Sequence, residues 1–233
     1  MRYCVELWSG DSTGLAAARN YGDVVVTVDI DPKFNPDICA DILEVTVDDI
    51  HMALRERGWK GEQIFYVWSS PCCKVFSVAG FHANHFKDGR PQTQKAKAMV
   101  RRHIHSLALI EGLNPIFWTV ENPVGLLRTM KWMQRYHRDT ITYCSYGDSR
   151  MKPTDLWGGF PEHWTARPKC VNNNPLCNHI RSPRGSHTGT QALDPRFRSH
   201  VPGDLSESLY QAALKSCHDG SCQRGTLLDE WVR

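Results

Sequence analysis

The sequence lacks the features of a membrane or secreted protein. No apolar run approaches the length of a transmembrane helix, and residues 1–10 have neither the basic head nor the apolar core of a signal peptide. The nine cysteines are an odd number, which does not suit a regular disulfide framework. We therefore expect a cytoplasmic protein without membrane contact, whose reduced thiols serve chemistry, metal binding or packing.

The composition is that of one globular domain, but the charge is unevenly distributed. Of the 233 residues, 41% are hydrophobic and 23% are charged, which suffices for a full core. Residues 1–65 hold six Lys/Arg and twelve Asp/Glu, a balance of −6, whereas residues 66–233 hold 22 and 13, a balance of +9. The basic second part, interleaved with aromatics and histidines, predicts a polyanionic partner. Solvated surface is an equal alternative for any single basic cluster.

The first 31 residues predict a βαβ unit. Residues 2–8 alternate as a strand, residues 9–14 form a glycine-containing turn, and a helix follows to about residue 21. Residues 23–31 are a β-branched run typical of a buried parallel strand. The glycines do not match the G-x-G-x-x-G fingerprint, but Asp29 stands at the tip of the second strand, where a carboxylate can accept hydrogen bonds from ribose hydroxyls.

The whole chain predicts a doubly wound α/β fold with a mostly parallel, Rossmann-like sheet and a small loop-rich C-terminal subdomain. Ligands of such sheets bind beyond the carboxyl ends of the strands, where Asp29, Asp41, Cys72, Cys73 and Glu121 all fall. The further predicted elements are strands at 37–43, 64–68, 116–123 and 139–146, helices at 47–58, 93–112, 125–136 and 205–216, and a mobile loop at 82–90. The predicted units are a catalytic domain at 1–157, a loop-rich segment at 158–204, and a C-terminal helix and tail at 205–233 packed on the catalytic domain.

Residues 66–77 carry two adjacent cysteines on a predicted loop. Structural cysteines belong inside strands or helices, whereas a reactive thiolate is expected on a loop at the carboxyl end of a strand. Glu121 ends another predicted strand, where a partly buried site would keep its carboxyl protonated; the alternative is an exposed carboxylate. A thiolate and a protonated carboxyl together suit nucleophilic attack on an electron-poor ring.

Four ordered segments resemble motifs of the cytosine-C5 DNA methyltransferases, most closely the short forms found in bacteriophages. They are Leu-Trp-Ser-Gly-Asp-Ser-Thr-Gly (7–14), Pro-Cys-Cys-Lys-Val-Phe-Ser (71–77), Glu-Asn-Pro-Val-Gly (121–125) and Tyr-Gly-Asp-Ser-Arg-Met-Lys-Pro-Thr-Asp-Leu-Trp (146–157), and residues 183–191 resemble a later phage segment. The resemblance covers most of residues 4–214. It implies that a flipped-out cytosine is attacked at C6 by a cysteine thiolate while an acid acts at N3. C5 then takes a methyl group from S-adenosylmethionine, and β-elimination releases the enzyme.

The resemblance selects one of the two cysteines as the nucleophile. In the family, two residues separate the catalytic cysteine from Phe-Ser, which matches Cys73 and puts Cys72 where a proline commonly stands. Cys72 stays open as the alternative, with one residue inserted. Lys74 replaces the usual glutamine, and its charge could lower the pKa of the thiol or meet a phosphate.

The same resemblance assigns the partners of the nucleophile. Glu121 matches the group at N3, and Asn122 would brace its turn, although Pro123 replaces the usual valine. Arg150 and Lys152 match the two basic positions that hold the catalytic loop and the cytosine O2. A phosphate-binding or surface basic cluster is the alternative for this pair.

The resemblance also implies S-adenosylmethionine as the cofactor and S-adenosylhomocysteine as its product. Trp8 would stack on the adenine, Asp29 would take the ribose hydroxyls with Ile30 beside the adenine, and Asp41 would accept from the adenine amino group. The alternatives are core packing for Trp8 and a helix cap for Asp41. The other implied cofactor contacts are the backbone of Ser9, Gly10, Asp11, Ser12, Thr13 and Gly14, together with Ile42 and Ser70.

The segment available for target recognition is short. Larger family members have a long recognition domain, whereas about 158–181 is available here, too little to read many bases. We expect double-stranded DNA as the substrate, bound through the basic second part, with relaxed specificity or a partner that supplies it. RNA as substrate, transfer of a different one-carbon group, and a catalytically weak nucleic-acid-binding protein stay open. Modification of a host genome and protection of phage DNA from restriction fit the sequence equally well.

The last third of the chain is rich in cysteine and histidine. The residues are Cys170, Cys177 and His179 in the loop-rich segment and Cys217, His218 and Cys222 near the end. A Cys4 or Cys3His zinc site assembled from them would let a core-poor segment fold. Their spacing is not that of a standard zinc knuckle, so thiols without metal are the favoured interpretation and no metal ligand is assigned.

Overall fold

A computed structural model describes residues 1–77, 85–171, 179 and 195–219. Residues 183–191, Cys177, Cys222 and the tail from 220 onward, all named above, lie outside this part of the chain. The strands are β1 (Tyr3–Leu7), β2 (Val24–Asp29), β3 (Ile38–Cys39), β4 (Tyr66–Ser69), β5 (Phe86–Lys87), β6 (Arg90–Pro91), β7 (Phe117–Pro123), β8 (Arg138–Thr142) and β9 (Pro153–Gly159). The helices are α1 (Ala16–Asn20), α2 (Val47–Glu56), α3 (Gln94–Leu113), α4 (Pro195–Ser199) and α5 (Gly203–His218).

Seven strands form one sheet in the order β3-β2-β1-β4-β7-β9-β8. β1 pairs in parallel with both β2 and β4, and β4 pairs in parallel with β7, so that Val5 lies beside Val26 on one side and Val67 on the other. β9 runs antiparallel to both of its neighbours, β7 and β8. The chain winds outward in both directions from β1, which confirms the predicted doubly wound, mostly parallel sheet.

Helices cover both faces of the sheet, as the apolar character of the central strands requires. On one face, Ile50 of α2 and Ile110 of α3 belong to a core that reaches Val5 and Val67. On the other face, α1 packs against α5, and the fully buried Leu205 of α5 belongs to a second core. No helix within the described ranges is long and apolar enough to cross a membrane.

The helix predicted at 125–136 is wrong. Only a 3₁₀ turn, Leu126–Thr129, forms there. Leu127, Met130 and Met133 are all buried. Their spacing of three residues follows the repeat of a 3₁₀ turn rather than the 3.6-residue period of an α-helix.

The predicted strand at 139–146 ends at Thr142, and a central strand was missed. Tyr143–Tyr146 is a second 3₁₀ turn, closed by Gly147 at φ 82°. β9, which begins with Pro153 and ends with two glycines, lies between β7 and β8. Proline and glycine indicate a turn in sequence, but Pro153 is the first residue of the strand, where a missing N–H is tolerated.

The remaining described segments are short or irregular. Part of the predicted loop at 82–90 is a short hairpin of β5 and β6. After β9, residues 160–171 contain neither helix nor strand. The predicted third strand is only Ile38–Cys39, followed by a 3₁₀ turn at Ile42–Glu44. The proposed domain boundaries at 157 and 204 stay predictions.

Candidate active site

The cysteine loop leaves the end of β4 and is fixed to the end of β7. The side-chain amide of Asn122 donates to the Pro71 carbonyl at 2.9 Å, and the Leu126 N–H donates to the Phe76 carbonyl at 2.7 Å. A Cβ atom on Gly125 would lie 2.2 Å from the Phe76 carbonyl oxygen, so only glycine permits this approach. Both ends of the loop are therefore held against one neighbouring strand.

Cys73, Glu121 and Lys152 meet at this edge of the sheet. Glu121 and Lys152 are buried, and the Lys152 Nζ lies 3.5 Å from Glu121 Oε1. Burial raises the pKa of the Cys73 thiol, the Lys152 ammonium opposes that rise, and the Glu121 carboxylate adds to it. The Cys73 thiol is therefore near enough to the ammonium and the carboxylate for both charges to act on it.

Tyr143 completes this group and was missed in the sequence. Its hydroxyl donates to Glu121 Oε1 at 2.7 Å, and Lys152 Nζ lies 4.3 Å from the centre of its ring. Burial raises the pKa of the Tyr143 hydroxyl well above its ordinary value, so the group remains a donor. Lys152 itself has φ 26°, a strained conformation for a non-glycine residue, held by its contacts to both neighbours.

Arg150 is close to the same group but is engaged elsewhere. It pairs with Asp148, and its guanidinium also donates to the carbonyls of Phe197 and of His200, the latter at 3.2 Å. Its guanidinium carbon lies 5.7 Å from the centre of the Tyr143 ring. Arg150 therefore ties the active-site turn to the chain before α5.

Cys72 faces a pocket, whereas Cys73 lies near Glu121. Cys72 lines a pocket with Trp8 and Arg102. Its carbonyl accepts from His103 Nε2 at 3.3 Å. Burial lowers the pKa of His103 to about 4, so the ring is neutral at physiological pH.

The pocket lies beyond the carboxyl ends of β1, β2 and β3 and has a volume of about 260 Å³. The indole N–H of Trp8 donates to Ser106 Oγ at 2.8 Å, which fixes the ring on the pocket wall. The backbone of Trp8 has a positive φ of 57°. The pocket brings together five predicted cofactor residues, Trp8, Asp29, Ile30, Asp41 and Ile42, and adds Val28, Ala40, Met99 and Arg102.

Asp41 is shared between a cap and an ion pair. Its carboxylate accepts from the Leu43 N–H at 3.2 Å, as an N-cap does, and from Arg102 Nε at 3.0 and 3.2 Å. The hydrogen bonds from Arg102 lower the pKa of Asp41. Arg102, half-buried on α3, was not recognised in sequence because nothing local relates it to a residue 61 positions earlier.

The loop at 9–14 supports the pocket without lining it. The Gly10 N–H donates to Asp29 Oδ2 at 2.9 Å, and the Gly14 N–H donates to Glu6 Oε1 at 2.9 Å. Burial raises the pKa of Glu6. Of the other predicted contact residues, Ser9 is buried and Asp11 is exposed. The Ser12 hydroxyl donates to Glu6, and Thr13 Oγ1 accepts from the Val201 N–H. Ser70 Oγ accepts from the Trp68 indole N–H.

Comparisons with known proteins add two distant structural likenesses. No family model and no curated protein sequence matches the chain. A DNA modification methyltransferase encoded within an E. coli prophage is 16% identical with a TM-score of 0.47, over 68% of this chain and 46% of that one. The Dnmt2 methyltransferase of S. pombe is 14% identical with a TM-score of 0.40, over 68% of this chain and 48% of that one. The chain thus spans less than half of each, and likeness at this level assigns neither family nor reaction.

Proposed function

We propose that the protein transfers a methyl group from S-adenosylmethionine to C5 of cytosine in DNA through a covalent adduct on Cys73. The observation that carries the proposal is the meeting of Cys73, Glu121 and Lys152 at the strand ends, beside a pocket lined by the residues expected to hold the cofactor. A purely structural ion pair would explain why Glu121 and Lys152 are buried together. It would not explain a half-buried loop thiol next to them.

The side chains suit addition to and elimination from a pyrimidine ring. The Cys73 thiol must lose its proton to attack C6, and the Lys152 ammonium favours the thiolate. Tyr143 and Lys152 both engage Oε1 of Glu121, so Oε2 is the oxygen that we assign to N3 of the base. A hydrogen bond at N3 stabilises the negative charge that the ring gains as the C6–S bond forms. After C5 is methylated, loss of the C5 proton breaks the C6–S bond and restores the thiolate.

The pocket fits the adenosine part of the cofactor. Its volume lies near the small end of ligand pockets, roughly 300–1,000 Å³, so the rest of the ligand would extend along the open side. Trp8 offers a ring face, and Asp29 offers carboxylate oxygens for ribose, one of which already accepts from the Gly10 N–H. S-adenosylmethionine bound here supplies an electrophilic methyl group. Cys72 also lines this pocket, which supports Cys73 rather than Cys72 as the nucleophile.

DNA is the proposed substrate because the chemistry needs a single exposed cytosine and the chain after residue 65 carries the positive charge. A duplex base must be flipped out to reach a thiol at the end of β4.

The proposal is tested by incubating the protein with labelled S-adenosylmethionine and either DNA or RNA of matched sequence, followed by nucleoside analysis. We expect 5-methylcytosine from DNA. The isosteric variant Glu121→Gln should lower the rate about 10²- to 10⁴-fold, the usual contribution of an acid–base group. Glu111→Gln, which alters a carboxylate near the C-terminal end of α3 that pairs with Arg135 and not with Cys73, Glu121 or Lys152, is the matched control and should keep full activity. Methylation of RNA alone would favour the RNA alternative, and absence of 5-methylcytosine from both polymers would contradict the proposal.

A further inference from the structure

Three side chains of metal-binding types converge next to the turn that carries Tyr143. The Sγ atoms of Cys144 and Cys170 and a ring nitrogen of His179 all lie within 4.8 Å of one another. Cys170 Sγ is 3.7 Å from His179 Nδ1. We propose that these residues bind a structural zinc ion that fastens the loop-rich segment to the turn carrying Tyr143.

The distances and the donors suit zinc. In a tetrahedral site with Zn–S near 2.3 Å and Zn–N near 2.0–2.1 Å, neighbouring ligand atoms lie roughly 3.5–3.8 Å apart. The observed Cys170–His179 distance falls in that interval. Two thiolates and an imidazole select zinc over magnesium or calcium, which prefer oxygen ligands. Both cysteines are buried, which keeps the bound ion away from solvent.

Hydrogen bonds build the frame that holds the two thiols together. The Cys170 N–H donates to Thr142 Oγ1 at 2.9 Å, two residues before Cys144. Ser145 Oγ donates to the Pro168 carbonyl at 2.8 Å, and the Arg167 N–H donates to the Tyr146 hydroxyl at 2.9 Å. These three bonds join side chains of the turn at 142–146 to the backbone of the segment at 167–170, and they hold Cys170 near Cys144.

The ligand set differs from that considered in sequence. Cys170 and His179 were grouped there with cysteines near the C-terminus, whereas the structure supplies Cys144, from the turn after β8, which sequence spacing could not relate to them. Cys177 lies outside the described residues and is not part of the proposed site. A tetrahedral ion with these three ligands takes its fourth from water or from another group of the protein.

A metal at this position would do two things. Residues 160–171 contain no helix or strand, and zinc would supply stability that a small core cannot. Cys144 also directly follows Tyr143, whose hydroxyl holds Glu121. The ion would thus fix the turn that positions the proposed catalytic acid, without touching substrate itself.

Metal analysis of the full-length protein, purified without added metal or chelator, tests the proposal independently of methyl transfer. We expect about one equivalent of zinc per chain, with X-ray absorption showing at least two sulfur ligands and a nitrogen ligand near the Zn–S and Zn–N distances of structural sites. Cys144→Ser and Cys170→Ser should each reduce the bound zinc at least tenfold. Cys39→Ser, which alters an exposed thiol on β3, is the matched control and should keep the full equivalent.

If the cysteine variants fail to fold, measurements on the wild-type protein still decide the question. Replacement of zinc by cobalt should give thiolate-to-cobalt charge-transfer absorption in the wild type and in Cys39→Ser. Chelation should lower the midpoint of thermal unfolding, and added zinc should restore it. Less than half an equivalent of zinc, an absorption spectrum with oxygen and nitrogen ligands only, or a Cys144–Cys170 disulfide in the purified protein would each overturn the proposal.

Discussion

The hydroxyl of Tyr143 offers a sharp test of how the site is held. Tyr143→Phe removes one oxygen atom and keeps the ring that packs below Lys152. Glu121 then loses a buried hydrogen bond of 2.7 Å and keeps only the longer contact to Lys152 at 3.5 Å. A hydrogen bond to a charged group contributes about 1.5–3 kcal/mol.

If that bond holds Glu121 in its productive position, its loss should lower turnover by roughly 10- to 150-fold, because each 1.36 kcal/mol of barrier is a factor of ten. Tyr143 does not line the pocket, so the affinity for S-adenosylmethionine should stay unchanged. The assay is the initial rate of methyl transfer at saturating and subsaturating cofactor, with cofactor binding measured separately by calorimetry.

Tyr66→Phe is the matched control for this change. Its hydroxyl is also buried and bonds Thr119 Oγ1 at 2.8 Å, but within the described residues it makes no hydrogen bond to Glu121. It should cost about 0.5–1.5 kcal/mol of stability and leave turnover unchanged. Full turnover in Tyr143→Phe, or equal loss in both variants, would refute the positioning role of Tyr143.

Three further predictions follow from burial and packing. The pKa of His103 in the folded protein is lowered to about 4, so its protonation opposes folding. Between pH 6.5 and pH 4 the free energy of unfolding of the wild type should therefore fall by about 3 kcal/mol more than that of His103→Gln. Denaturant titrations at several pH values measure this difference, and identical profiles would contradict it. Gly14→Ala would place a Cβ 2.3 Å from an indole ring and should destabilise the fold by about 1–3 kcal/mol, whereas Gly203→Ala, in open space, should be near neutral; equal thermal midpoints would refute the packing argument. The pH midpoint for alkylation of Cys73 should lie above that of an ordinary thiol and move higher in Lys152→Met, because the ammonium opposes the rise in pKa; a downward movement would contradict the proposed electrostatics.

The fold was largely predictable where the sequence pattern reflects burial on both sides of a strand. The run at 24–28 is β-branched throughout and lies in β2, which pairs with β1 and β3 on its two sides. β9 was not predictable because Pro153 and its terminal glycines indicate a turn locally, and only pairing with β7 and β8 on both sides makes them a strand.

The candidate site was predictable where its residues follow strands. Parallel strands bring their carboxyl ends to one edge, so Cys73 and Glu121, 48 positions apart, could be expected to meet. Tyr143 and Arg102 could not be found in this way. Each is placed by tertiary packing of a turn or a helix, and each looks in sequence like an ordinary buried aromatic or surface cation.

Covalent trapping tests the central claim, that Cys73 forms a bond to cytosine, most directly. DNA containing 5-fluorocytosine cannot lose a proton from C5, so an enzyme of the proposed mechanism remains attached after methyl transfer. We predict a denaturant-resistant adduct that depends on S-adenosylmethionine, maps by peptide mass spectrometry to Cys73, persists in Cys72→Ser and is absent in Cys73→Ser. An adduct that maps to Cys72 or survives Cys73→Ser would contradict the assignment of the nucleophile, and no adduct under conditions that produce 5-methylcytosine would contradict the covalent mechanism.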